Sequence, residues 1–96
     1  MYLVESYDAQ DEPAERRFAN HGQFATAAQA LMAAKSLIDE HLVLALGAGM
    51  SAEQAFEHWR VSGEVPRIVA RSGAAPLDFN PSVYAQDRAR ELQRRG

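Results

Sequence analysis

Six side chains, Arg88, Arg67, Asp8, Glu64, Tyr84 and His41, are the candidates for binding or chemistry in this 96-residue chain. Helical spacing sets Arg88 between Tyr84, Ala85 and Leu92 on the inward face of a C-terminal helix. A guanidinium there needs a carboxylate or carbonyl partner. Asp8 and Glu64, at the ends of two expected strands, are its candidate partners. The pair is either a structural pin or part of a site for a small anion or nucleotide, with Arg67 and the helix N-termini at Ser51 or Asn80. Tyr7 and Tyr84 suit surface contact with a partner. His41 lies on the flank of an apolar helix face near Leu37, Leu44 and Ala45. Its ring could act as a ligand or a base, or be half-buried on a backbone carbonyl.

Other chemistries find no footing in the spacing. The three histidines show no His-x-x-x-His pattern and the chain has no cysteine, so neither a metal site nor a cofactor is expected. No nucleophile with its base and orienting acid can be assembled, and no catalytic residue is expected. The segment Leu42-Val43-Leu44-Ala45-Leu46-Gly47-Ala48-Gly49-Met50-Ser51 admits two readings. As strand, glycine loop and helix it would cradle a phosphate. As a helix ending in glycine before a serine-capped helix it is only a corner. Nothing in Ser36 to His41 breaks the helical register ahead of it, and a parallel nucleotide-binding sheet would need more strands than the chain holds. The corner is the expectation.

The elements that must carry these residues follow from periodicity. Tyr2 to Asp8 reads as a strand with apolar residues in both alternating sets, as in a central strand. A polar loop runs to Pro13. Glu15 to Asn20 is expected as a second strand closing a hairpin, with Asn20-His21-Gly22 as the next turn. Thr26 and Gln29 form a capping box for a helix over residues 27–46, its apolar line Ala27, Leu31, Ala34, Ile38, Leu42 and Ala45. Lys35, Ser36, Asp39 and Glu40 fall on its water side. Gly47 or Gly49 is the C-cap. Ser51 and Gln54 open a short helix with Phe56 and Trp59 inward, ended by Gly63. Glu64 to Ala70 reads as a strand at or beside an edge because of Pro66. Asn80-Pro81 caps a last helix reaching about Arg94.

Size and composition set the class. Ninety-six residues, 47% apolar and 24% charged, describe one globular domain, residues 1–96. No segment reaches a membrane span, and the N-terminus lacks a secretory signal, so a cytoplasmic location is expected. The net charge is −3, with Glu5, Asp8, Asp11, Glu12 and Glu15 preceding any basic residue and Arg88, Arg90, Arg94 and Arg95 near the end. That asymmetry suits association with a protein partner or a second copy. The arginines interleave with Asp87 and Glu91, and nucleic acid is not the expected partner.

Ser6-Tyr7-Asp8, Gly22-Gln23-Phe24-Ala25-Thr26, Gly49-Met50-Ser51-Ala52-Glu53, Gly63-Glu64-Val65-Pro66-Arg67-Ile68 and Tyr84-Ala85-Gln86-Asp87-Arg88 occur in this order. The series resembles a group of small bacterial α+β proteins of unknown function. Val65 and Arg67 depart from that group's Asp before the proline and aromatic after it. The resemblance implies a small α+β domain and brings no activity with it. The expected fold is therefore α+β, order β-(β)-α-α-β-α. It has a mainly antiparallel sheet of two or three strands, covered on one face by the long and last helices, with the short helix also packed on it. The expected role is a non-catalytic interaction or accessory module.

Overall fold

Tyr2–Asp8 forms strand β1, Ala19–Phe24 β2 and Glu64–Ala70 β3; Ala27–Gly47, Ala52–Ser62 and Pro81–Arg95 form helices α1, α2 and α3. The computed structural model describes residues 1–95. The fold is α+β, with a three-stranded antiparallel sheet in the order β2-β1-β3. β1 is central, as its two apolar sides require, and the proline-bearing β3 is an edge. β2 begins later than expected. Pro13–Glu15 is a 3₁₀ turn, and Asn20, His21 and Gly22 lie inside the strand, not in a turn.

The reason is a bulge. Leu3 pairs with Gln23 and Glu5 with Asn20, so β2 spends one more residue than β1 over the same rise. Gly22 supplies it at φ +112°, where a side chain would be strained, and its N–H donates to Asn20 Oδ1 at 2.7 Å. Because side chains alternate, the extra residue turns His21 onto the face that carries Val4 and Ser6.

The glycine segment is a corner. Gly49 takes φ +97° and its N–H reaches Leu46 O, while Met50 N–H returns to Ala45 O. These two bonds satisfy the last carbonyls of α1 in a Schellman arrangement. Ser51 then caps α2 with a complete capping box to Gln54. At the other end of α1 the Thr26 hydroxyl accepts from Gln29 N–H, which is half of the expected box.

α1 lays Ala30, Ala34, Ile38, Leu42 and Ala45 inward. Its first half meets Val4, with Tyr2, Phe24 and Ile68 around it. Its second half joins Ala52, Ala55 and Trp59 of α2 and Ala85 and Ala89 of α3. Trp59 is held by its indole N–H on Glu64 O at 3.1 Å, with Gly63 pressed against its ring. α3 was expected over the sheet. It packs chiefly on α1 and α2 instead, because Ala85 and Ala89 let it approach the alanine faces of those helices closely. The opposite side of the sheet carries no helix.

Candidate functional site

Of the six sequence candidates only Arg88 and Tyr84 come together; the others stand apart, and each place has its own chemistry. Arg88 does not reach Asp8 or Glu64. Its Nε donates to Asp39 Oδ1 at 3.2 Å, and its Nη1 lies 3.0 Å from Glu91 Oε1. Tyr84 Oη donates to the same Asp39 oxygen at 2.7 Å. The expectation failed because α3 crosses α1, which brings Asp39 beneath α3 and away from open water. Burial, and then the hydrogen bond to Asp39, raise the Tyr84 hydroxyl pKa well above its usual value, so it remains a donor. Burial opposes the charge of Arg88, and its bond to Asp39 and the field of that carboxylate more than offset this. Tyr84 is thus half-buried in a helix-docking network, not a free aromatic.

Glu64 belongs to a second network, on the helix side of the sheet. Ser6 is 1% exposed, its hydroxyl 2.7 Å from His21 Nε2 and 3.2 Å from Glu64 Oε2. Serine, histidine and glutamate together invite a comparison with nucleophilic catalysis. In such a triad the acid orients the base through its far ring nitrogen. Here Glu64 Oε2 lies 4.0 Å from the same nitrogen that faces Ser6. The serine hydroxyl donates to Glu64 and shares a hydrogen bond with His21, which ties all three strands together by a polar chain. Asp8 sits apart, accepting from Gln10 N–H at the turn after β1. The spacing of the chain gave no sign of this trio, because the bulge in β2 creates it. A polar Ser6 among inward-facing residues of a central strand was the one available signal.

Arg67 lies on the uncovered side of the sheet. Its Nη2 bonds Glu5 Oε2 at 3.1 Å, and its guanidinium carbon stands 3.8 Å above the Phe18 ring. Phe18 meets Tyr7 edge-on at 5.8 Å between centroids, and Arg16 stacks on Tyr7 at 4.1 Å. The segment entering β2 therefore folds back and sets two adjoining rings between two cations on the open face. Arg67 is 49% exposed while Glu5 is 12% exposed beneath it. Among the described residues Arg16 and Arg17 have no carboxylate partner.

His41 is not bonded to a carbonyl. Its Nε2 faces Nδ1 of His58 on α2 at 2.8 Å, the rings tilted by 36°. Burial and the neighbouring His58 lower the His41 pKa from its ordinary 6.5. A groove of about 510 Å³ opens beside His58, lined also by Met50, Gln54, Glu57 and Val61. Among the described residues no third histidine, cysteine or carboxylate joins a metal-binding group.

The donors of an anion site are internally taken. Arg88 has Asp39 and Glu91, Arg67 has Glu5, Ser51 N–H has Gln54 Oε1, and Ser82 and Val83 N–H share Asn80 Oδ1. No helix of the described residues is long and apolar enough to cross a membrane. Comparison with known proteins finds no matching family model, no matching curated protein and no matching solved structure.

Proposed function

We propose that the chain is a non-catalytic interaction module of the cytoplasm, and that it binds through the uncovered side of its sheet. The observation that carries this reading is the row Arg16–Tyr7–Phe18–Arg67 across that face, two adjoining rings flanked by two guanidiniums. Arg16, set over the Tyr7 ring with no carboxylate partner among the described residues, leaves its N–H groups for a partner carboxylate, which a guanidinium can hold by two parallel bonds, whereas Arg67 is already engaged by Glu5. The rings between supply contact area at small entropic cost, the composition found at protein interfaces. The partner is accordingly a protein segment that presents carboxylates between apolar side chains. A nucleic acid fits less well, since the chain carries a net charge of −3.

The test compares three baits in cell extract: the natural chain, Tyr7→Ser with Arg67→Ser, and Val83→Ser on the far side of α3. The expected result is a protein retained by the first and third baits and lost from the second, with all three baits melting within a few degrees of one another. Retention that is unchanged by the Tyr7 and Arg67 substitutions overturns the reading.

A further inference from the structure

We infer that His41 and His58 form a two-nitrogen clamp for a late first-row divalent metal ion, clasping α1 to α2. The observation is the approach of His41 Nε2 to His58 Nδ1, 2.8 Å apart on two helices and seventeen residues apart in sequence. Each ring aims a nitrogen at the other ring, and neither aims it at a carboxylate or carbonyl. As neutral imidazoles they can share only one proton across that gap. Once the donor ring moves its proton to its outer nitrogen, two lone pairs face each other, and a rotation of the two rings turns both onto one point beside the line that joins them.

The spacing suits a metal. With nitrogen ligands at about 2.0–2.1 Å, two cis positions of a tetragonal or octahedral ion lie about 2.9 Å apart, and two tetrahedral positions about 3.3 Å apart. The observed separation is close to the first and a small ring rotation from the second. Imidazole suits Ni(II), Cu(II) and Zn(II), and does not suit Mg(II) or Ca(II). His58 is exposed and His41 half-exposed, and the adjoining groove of about 510 Å³ leaves room for water on the remaining coordination positions. No redox step is involved. The metal takes the place of the shared proton, which stays on the same ring at its other nitrogen, Nδ1 of His41 or Nε2 of His58.

Binding to the folded chain raises its melting temperature by mass action. The experiment uses the untagged natural chain at pH 7.5 with nickel chloride, and separately zinc chloride, read by thermal unfolding. A rise of about 5 °C at saturating metal is expected for a domain of this size, reversed by EDTA. His58→Ala and His41→Gln should each abolish the rise, and His21→Ala should keep it. Proton NMR of the natural chain supplies a reading that needs no variant: Ni(II) should broaden the ring signals of His41 and His58 before those of His21. No rise with either metal, an equal rise in His58→Ala, or broadening led by His21 overturns the inference.

Discussion

Asp39 is the acceptor on which the last helix docks, and it takes two charge-assisted bonds on one oxygen, from Tyr84 and Arg88. Hydrogen bonds to a charged group contribute about 1.5–3 kcal/mol when sheltered, and exposed ion pairs about 0–1. The Arg88 and Asp39 side chains are 22% and 28% exposed, which places this network between those limits. Arg88→Ala should therefore destabilise the fold by about 1–2 kcal/mol in urea unfolding. A double-mutant cycle of Arg88→Ala with Tyr84→Phe should show non-additivity, since both removals act on one carboxylate. His41 supplies a pH dependence. Its pKa is lowered in the folded chain, so the unfolded chain binds the proton more readily. Stability contributed at this site is complete above 6.5 and falls as pH drops below it, until the folded ring titrates as well. The melting temperature should decline on going from pH 7.5 to 5.5, and His41→Gln should decline less over the same range.

At the scale of the elements, the two glycines of the α1–α2 corner do different work. Gly49 at φ +97° makes the Schellman turn, and Gly47 is the last helical residue with open space where a Cβ would stand. Gly49→Ala should cost about 1–2 kcal/mol through left-handed backbone strain. Gly47→Ala should be neutral or stabilising by up to about 1 kcal/mol, since alanine favours the helix. Comparison of the two by thermal unfolding checks the assignment. Both were candidates for the cap in the sequence, because each stands where a helix end belongs; only the backbone bonds of Gly49 and Met50 distinguish them. The sheet edges show the same economy. Pro66 removes one donor from β3, and the Gly22 bulge twists β2, so neither edge offers a clean row of bonds to another strand. The association proposed above accordingly uses the open face and not an edge.

Across the whole molecule, two core clusters share the length of α1. One centres on Val4, Ala30 and Ala34, the other on Trp59, Ile38 and Leu42. Phe79, in the loop before α3, packs against both. Phe79→Ala should cost about 3 kcal/mol in denaturant unfolding while the transition remains single and cooperative, because α1 still joins the clusters. The small side chains of α2 and α3 explain why α3 left the sheet: its alanines 85 and 89 close on alanines 52 and 55 of α2 and on the inward face of α1. Element types were readable because strand alternation, the alanine-rich period, two serine and asparagine caps and Pro66 are local signals. The boundary of β2 was not, since Arg16-Arg17 and the bulge at Gly22 answer to cross-strand pairing.

The sequence alone determined the α+β class, the order of elements, the central place of β1, the place of β3 at or beside an edge and the corner at Gly49 to Ser51. These follow from periodicity and capping, which act over a few residues. The partners of the candidate residues were decided by tertiary structure. Asp39 for Arg88, Ser6 and His21 for Glu64, Phe18 and Glu5 for Arg67, and His58 for His41 depend on helix crossing, bulge and register. A polar side chain in a folded chain takes the nearest complementary group that packing brings to it. Packing is a property of the whole chain, and no local spacing encodes it.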